Sequence, residues 1–207
     1  MENLRTDIVP GTNFKIIQDK SKFSYGIDAI LLSDFAKPKG LVMDLGTGTG
    51  IIPIRMAEKM GFQKIYGVEI QEDVSKLAQK NIELNNLQDK IEILHMDLKN
   101  LSNIFKKASF NVIISNPPYM KSGGAIVNLD ENFAISRHEI TCNIEDIIRL
   151  SNYLLKPLGK LYLVHRPDRL VDIFYTMRKY DIEPKYIRFV QPKIHKKPNL
   201  VLIEGLK

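Results

Sequence analysis

The sequence predicts an α/β protein with a doubly wound, seven-stranded, mostly parallel sheet and helices on both faces. From residue 41 onward, short apolar runs typical of buried strands alternate with segments whose apolar residues recur at helical spacing. The last two of seven strand segments, at 186–190 and 200–203, are placed to close the sheet as an antiparallel hairpin. The first strand runs into a loop with three glycines, at 41–50, a turn typical of ligand sites in such sheets.

The remaining elements follow in chain order. Residues 12–24 predict a short extended pair around a polar turn at 19–21, and residues 26–35 predict a helix that ends before Pro38. Later strands are predicted at 64–70, 91–94, 110–115 and 160–164, and later helices at 72–85, 101–107, 143–155 and 168–180. Residues 116–140 form a loop long enough to indicate a functional role.

Composition limits the classes of function. The 207 residues, 44% of them hydrophobic, are enough for one domain with its own core. Charged residues among the first ten argue against a signal peptide, and no apolar run reaches the length of a membrane span, so we expect a cytoplasmic protein. A single cysteine and scattered histidines predict no metal site. The net charge of +6 favours an acidic partner, nucleic acid being the commonest.

The spacing of the glycine loop distinguishes between nucleotide-like ligands. Asp44 is followed by Gly46, Gly48 and Gly50, but a dinucleotide fingerprint counted from Gly46 would need glycine where Ile51 stands. The Gly-Lys-Ser/Thr of a phosphate-binding loop is also absent. The pattern resembles the first motif of the class I S-adenosylmethionine-dependent methyltransferases, whose Rossmann-like fold and sulfonium cofactor it therefore implies. An ordinary strand–helix turn is the alternative.

Acidic residues follow the next two predicted strands. Glu69 lies roughly 20 residues beyond the glycines, the distance at which a carboxylate reaches ribose hydroxyls in nucleotide-binding sheets. The resemblance implies that Glu69 binds the ribose of the cofactor, that Asp97 binds its adenine amino group and that Asp44 lies beside its methionine ammonium group. A simple helix start is the alternative for Asp97. The cofactor-binding set implied by the resemblance is Tyr25, Asp28, Asp44, Gly46, Thr47, Gly48, Gly50, Glu69, Ile70, Asp97, Leu98 and Asn116.

The most specific motif is Asn116-Pro117-Pro118-Tyr119, at the end of the predicted strand 110–115. Two prolines fix the backbone and remove two N–H donors, which leaves carbonyls free to accept from a ligand. The Asn116 side-chain oxygen and the Pro117 carbonyl would hold both N–H groups of an amino nitrogen, and Tyr119 would stack on the base, worth about 1–3 kcal/mol. We predict these four residues as the catalytic set; a rigid turn is the alternative.

The motif is similar to that of the Asn-Pro-Pro-Tyr amino methyltransferases, which modify adenine N6, guanine N2 or a glutamine amide. Segments at 23–32, 136–139, 164–170, 188–193 and 200–205 resemble the bacterial tRNA(Val) adenine-N6 methyltransferases, so that the likeness covers nearly the whole chain. That family implies transfer to the adenosine just 3′ of the anticodon. Two departures stand out: Asn111 replaces the usual Asp, which we expect to matter little, and the chain stops soon after Gly205, which we expect to shorten the last strand or remove an RNA contact.

The resemblance also implies the domain organisation. We expect residues 1–207 to form a single methyltransferase domain, with 1–40 as an N-terminal extension that packs on the cofactor site and 41–207 as the catalytic core. We expect a monomer. A protein glutamine-N5 methyltransferase of release factors, which usually carries a helical N-terminal domain, and a non-catalytic S-adenosylmethionine-binding RNA module are the alternatives.

A basic stretch near the C-terminus is the predicted RNA contact. Residues 185–197 carry five cations and no acid, with Phe189 and His195 interleaved, a composition that neutralises phosphates without reading sequence. A solvated hairpin face is the alternative. Two residues of the long loop are placed to grip the anticodon stem–loop. The full RNA-binding set is Arg137, His138, Lys185, Arg188, Lys193, Lys196 and Lys197.

Overall fold

The computed structural model describes residues 4–19, 25–119 and 143–207. Its strands are β1 (Leu4–Ile8), β2 (Lys15–Asp19), β3 (Gly40–Leu45), β4 (Phe62–Glu69), β5 (Ile91–His95), β6 (Phe110–Ser115), β7 (Leu155–His165), β8 (Glu183–Val190) and β9 (Leu200–Leu206). Its helices are α1 (Ile27–Phe35), α2 (Ile51–Met56), α3 (Glu72–Leu84), α4 (Leu101–Ile104), α5 (Ile144–Leu154) and α6 (Leu170–Lys179), with short 3₁₀ turns at Leu98–Asn100 and Pro167–Arg169. None of these helices is long and apolar enough to cross a membrane.

Seven strands form the central sheet, in the order β5-β4-β3-β6-β7-β9-β8. Strands β5 to β7 run parallel, whereas β9 is antiparallel to both of its neighbours. The chain moves outward from β3 to β5 and then returns to the other side of β3 as β6. The carboxyl ends of β3 and β6 therefore flank the switch point at which open α/β sheets bind their ligands. The predicted fold class is confirmed.

Helices cover both faces of the sheet, because neighbouring residues of the inner strands point to opposite sides. Val112 and Ile114 of β6 belong to one buried cluster together with residues of α1, α2 and α3. Ile113 belongs to a second cluster, built with residues of α5 and α6. The inner strands thus bury side chains on both faces, as their mostly apolar runs in the sequence indicate.

The first arm of the extended pair predicted at 12–24 forms β2, and its partner among the described residues is a strand that the sequence analysis did not predict. Strand β2 pairs with β1, upstream of it, from Leu4↔Asp19 to Ile8↔Lys15. The turn lies before β2, where the Val9 N–H donates to the Phe14 carbonyl at 2.8 Å and Gly11 adopts φ +74°. Polar residues in β1 hide its strand character in the sequence, and residues 20–24, the predicted second arm, lie outside the described ranges.

Other boundaries differ by a few residues. The strand predicted at 160–164 begins already at Leu155, since Pro157 and Gly159 continue the strand around a bulge instead of ending the helix. The helix predicted at 101–107 ends at Ile104, and the one predicted from 168 begins at Leu170, after a 3₁₀ turn. The last strand, β9, pairs with β7 from Val201 to Leu206. The expectation of a shortened last strand or a lost RNA contact stays a prediction.

The N-terminal hairpin is tied to α3 by two asparagine side chains. Asn81 accepts from the Ile17 N–H at 2.7 Å and donates to the Ile17 carbonyl at 3.0 Å. Asn85 does the same for Lys15, at 2.8 and 2.7 Å. Asn81 also donates to the Thr49 carbonyl at 3.0 Å, so one buried side chain joins the hairpin to the glycine loop.

Candidate active site

The glycine loop leaves the end of β3 in a conformation that needs glycine. Gly46, Gly48 and Gly50 have φ values of +77°, +56° and +86°, a region that side-chain-bearing residues rarely adopt. The N–H groups of Gly46 and Thr47 donate to the Val68 carbonyl of β4 at 3.0 and 2.9 Å. A Cβ atom at Gly46 or Gly48 would meet nothing within 4 Å, which leaves bare backbone open to a ligand.

Glu69 joins this loop to the end of β4. Its side chain is buried, and one carboxylate oxygen accepts from the Gly48 N–H at 3.1 Å while the other accepts from the Gln71 N–H at 2.9 Å. Each carboxylate oxygen can accept a second hydrogen bond, for example from a ribose hydroxyl. Ile70 follows directly and is partly buried.

Asp44 is a fully buried carboxyl group beneath the loop. Neither of its oxygens, nor the Thr47 hydroxyl, has a hydrogen-bond partner within the described part of the chain. Burial raises the pKa of Asp44 to about 7, the Glu69 charge adds to the shift, and the neighbouring Thr47 hydroxyl opposes it. A buried carboxylate without a partner is unfavourable, so a cationic group bound here would relieve it. The site therefore suits a ligand with an ammonium or sulfonium charge.

In this structure Asp97 caps the start of a short helical turn, which is the alternative role given for it above. Its Oδ1 accepts from the Lys99 N–H at 2.9 Å and begins the 3₁₀ turn at Leu98–Asn100. Leu98 is the first residue of that turn and, like Asp97, is partly buried. The assignment of adenine to Asp97 stays a prediction.

The Asn-Pro-Pro-Tyr segment leaves the end of β6, next to the glycine loop. Leu45 of β3 pairs with Ser115 of β6, and the Ser115 hydroxyl also donates to the Leu45 carbonyl at 2.8 Å. Gly46 and Asn116 therefore leave adjacent strand ends, about 5 Å apart. Of the two prolines that follow, Pro117 is buried and Pro118 is exposed.

Tyr119 is held from several sides. Its hydroxyl lies 2.9 Å from Asn116 Oδ1 and 2.9 Å from Asp28 Oδ2. Its ring meets the edge of His165 at a centroid distance of 5.2 Å, and the Arg166 guanidinium lies 5.3 Å from its centroid. Burial, followed by the charge and hydrogen bond of Asp28, raises the pKa of Tyr119, so the hydroxyl keeps its proton.

His165 and Arg166 are site residues to which the sequence interpretation gave no role. They stand at the carboxyl end of β7, beside β6, where the carboxyl-edge rule could have placed them. Burial lowers the pKa of His165, and its Nδ1 accepts from the Arg166 N–H at 2.8 Å, so the neutral ring carries its proton on Nε2.

The two N-terminal residues predicted to bind cofactor have other partners here. Asp28 contacts the catalytic motif through Tyr119, as above. Tyr25 packs near the N-terminal hairpin: its N–H donates to Gln18 Oε1 at 3.2 Å, and burial, then the Asp7 charge, raise its pKa. Direct contact of either residue with a cofactor stays a prediction.

The basic stretch lies at the edge of the sheet, in β8 and in the connection from β8 to β9. Its five cations are all exposed: Lys185, Arg188, Lys193, Lys196 and Lys197. Since β8 is antiparallel to β9 and β9 is antiparallel to β7, the connection at 191–199 emerges from the same end of the sheet as His165 and Asn116. Arg137 and His138 lie outside the described residues.

The strand order, the glycine loop after β3 and the Asn-Pro-Pro-Tyr segment after β6 together define a class I methyltransferase fold. The sequence model of the methyltransferase small domain family matches residues 13–179. A tRNA1(Val) (adenine(37)-N6)-methyltransferase of Porphyromonas gingivalis is 30% identical over 207 residues, covering 96% of this chain and 80% of its own length. An enzyme of the same name from Tolumonas auensis is 30% identical over 201 residues, covering 92% and 79%.

The chain therefore belongs to the methyltransferase small domain family, and to the same family as these two tRNA1(Val) (adenine(37)-N6)-methyltransferases. Among solved structures, a predicted O-methyltransferase from Agrobacterium tumefaciens superposes with a TM-score of 0.66 at 20% identity, covering 87% of this chain and 80% of that one. That likeness concerns the fold alone.

Proposed function

We propose that this protein transfers a methyl group from S-adenosylmethionine to the exocyclic N6 of an adenosine in tRNA, namely adenine 37, beside the anticodon of a valine tRNA. The observation that carries the proposal is the placement of Asn116 next to the glycine loop, across the Leu45–Ser115 pair. An amide oxygen that could accept from an amino group would then lie beside the loop that covers the buried Asp44 carboxyl group. The substrate class is that of the two related tRNA1(Val) (adenine(37)-N6)-methyltransferases.

S-adenosylmethionine fits the donor set around the loop, and when bound it supplies an activated methyl group on a sulfonium cation. Asp44 would face its positive charge, which removes the penalty of an unpartnered buried carboxylate. Glu69 would accept from the ribose hydroxyls while the Gly48 and Gln71 N–H groups hold it in place. Gly46 and Gly48 leave backbone open to the ligand.

The Asn-Pro-Pro-Tyr segment acts on the acceptor. An adenine amino nitrogen is a poor nucleophile because its lone pair is delocalised into the ring. Acceptance of its two N–H groups by Asn116 Oδ1 and the Pro117 carbonyl would hold the nitrogen with its lone pair toward the donor pocket. The transfer would be a direct displacement, in which an N–C bond forms as the S–CH₃ bond breaks and the amino nitrogen then gives up one proton to solvent. It therefore needs positioning more than acid–base chemistry. Tyr119 and Arg166 form an aromatic and cationic surface against which the unstacked base can lie.

The basic edge would receive the RNA backbone. Arg188, exposed Phe189 and the three lysines of the connection lie toward the end of the sheet that carries Asn116, whereas Lys185 lies near the start of β8, toward the opposite end. Strand spacing places β8 about 10 Å from β7, within reach of nucleotides that flank a base held at Asn116. We further infer a cytoplasmic monomer in which 41–207 is the catalytic core and 1–40 an extension that packs by the cofactor.

The proposal is tested by incubating the protein with labelled S-adenosylmethionine and, separately, bulk tRNA, double-stranded DNA and a release factor. Label in tRNA alone, recovered as N6-methyladenosine after digestion, is the expected result. Label in the release factor alone would instead identify a glutamine methyltransferase, since an amide nitrogen presents the same two N–H groups. Cofactor binding without transfer to any of the three would indicate a binding module.

A further inference from the structure

The Tyr119 hydroxyl faces two oxygen atoms but has one proton. Asp28 Oδ2 and Asn116 Oδ1 both lie 2.9 Å from it, and a phenol can donate only one hydrogen bond. An ionised carboxylate and an amide oxygen are both acceptors, so one of these contacts would bring two lone pairs together. The conflict disappears if the Asn116 carboxamide is turned, so that its NH₂ group faces the phenol oxygen. Oxygen and nitrogen of an amide have the same shape, and only their partners decide between the two orientations.

The proton of Tyr119 belongs with Asp28. Asp28 stands in the first turn of α1, where the helix dipole favours a negative charge. A hydrogen bond to a carboxylate is stronger than one to a neutral amide oxygen. The other Asp28 oxygen accepts from the Ala29 N–H at 2.9 Å, which fixes the carboxylate on its helix. The edge contact of His165 and the Arg166 guanidinium fix the ring of Tyr119.

The orientation of Asn116 matters for the chemistry. With its NH₂ group toward Tyr119, Oδ1 lies on the opposite side of the carboxamide, free to accept from an amino N–H. In the reverse orientation, the NH₂ group would be presented to the target, where it would compete with the N–H groups that must be bound. An asparagine without a fixed partner would populate both orientations.

We propose that Asp28 is a positioning residue, which through the Tyr119 hydroxyl holds the Asn116 carboxamide with Oδ1 toward the target amino nitrogen. This role rests on the proposed function, because it concerns the acceptor side of the same site. It differs from the cofactor-binding role that the family resemblance implies for Asp28. The part of the chain before the glycine loop would then help to position the group that receives the methyl, and not only the cofactor.

The kinetic test is a double-mutant cycle of Asp28→Ala and Tyr119→Phe, assayed with saturating tRNA and S-adenosylmethionine. Each single variant is expected to lower kcat roughly 10- to 100-fold, with KM for tRNA and Kd for S-adenosylmethionine changed by less than about twofold. The double variant should be no slower than the slower single variant. Asp28→Asn should recover part of kcat, because its amide oxygen can still accept the phenol proton. Asp172→Ala, an exposed acid in the first turn of α6 on the opposite face of the sheet, is the control and should keep full activity.

Two kinetic outcomes overturn the proposal. Additive losses in the double variant would show that Asp28 acts independently of the hydroxyl. A large rise in the Kd for S-adenosylmethionine in Asp28→Ala would make Asp28 a cofactor ligand.

A second measurement needs no activity and separates this proposal from the proposed function. In the NMR spectrum of the cofactor-free protein, the side-chain NH₂ resonances of Asn116 should shift in both Asp28→Ala and Tyr119→Phe, and should exchange faster with water. Unchanged resonances in Asp28→Ala would refute the positioning role even if tRNA is methylated. A clear shift in an inactive protein would support the network while contradicting the proposed function.

Discussion

Replacement of Asp44 by asparagine is predicted to stabilise the cofactor-free protein, and to do so increasingly as the pH rises. Burial raises the pKa of this carboxyl group from 3.8 to about 7, although the neighbouring Thr47 hydroxyl opposes the shift. Neither carboxyl oxygen has a partner in hydrogen-bonding geometry among the described residues. Between these two values the folded state binds more protons than the unfolded state. The free energy of unfolding of the wild type therefore falls as the pH rises, by about 1.4 kcal/mol per pH unit.

The magnitude follows from the same shift. Below pH 3.8 the group is protonated in both states and Asp44→Asn should be nearly neutral, since the two side chains have the same shape. Above pH 7 the wild type bears the full penalty of a buried charge, which corresponds to about 4 kcal/mol in favour of the variant. Saturating S-adenosylmethionine should restore much of this stability to the wild type and less to the variant, because the cation would pair with the carboxylate.

Urea unfolding of the cofactor-free proteins from about pH 5 to pH 8 measures the effect. The matched control is Asp89→Asn, which makes the same chemical change at an exposed position, and its effect should stay within about 0.5 kcal/mol across that range. A stability difference between Asp44→Asn and wild type that does not grow with pH would refute the claim that the site holds an unpartnered carboxyl group.

Three further predictions concern the rest of the site. Asn116→Ala should lower kcat by a factor of about 10²–10³, while the Kd for S-adenosylmethionine, measured by calorimetry, stays near the wild-type value; full activity in this variant would contradict the mechanism. Glu69→Gln should lower the affinity for S-adenosylmethionine by roughly tenfold or more, because a charged hydrogen-bond acceptor is lost. An unchanged affinity would show that Glu69 does not bind the cofactor. Reversing the charge of Arg188 and Lys193 together should weaken tRNA binding and leave cofactor affinity intact. In a filter-binding assay, the slope of the logarithm of tRNA affinity against the logarithm of salt concentration should become shallower by about one for each lost phosphate contact. An unchanged slope would favour the interpretation of this stretch as a solvated hairpin face.

The sequence predicts those parts of the site whose residues directly follow a strand and lie close together along the chain. The glycines at 46, 48 and 50 all adopt the positive φ that their spacing indicates. Glu69 lies against the loop, as its distance along the chain predicts. In these cases a buried strand fixes the position of the next few residues, so the local sequence is enough to predict where they lie.

The parts that escaped prediction depend on contacts between distant segments. Asp28 and Tyr119 are 91 positions apart, and nothing near either residue indicates that the two meet. The pairing of β1 with β2 was missed because β1 is largely exposed and polar, so its apolar alternation is weak. Asp97 shows the converse problem, because an acid that caps a turn and an acid that binds a base have the same sequence signature.

The most direct test of the central claim is to map the methylated position on an unmodified transcript of the valine tRNA with labelled S-adenosylmethionine. We expect a single N6-methyladenosine at adenine 37, seen by mass spectrometry of nuclease fragments, and no transfer to a transcript in which that adenosine is replaced by guanosine. Methylation at another position, or equal labelling of the substituted transcript, would contradict the assignment of this chain as a methyltransferase of the base beside the anticodon.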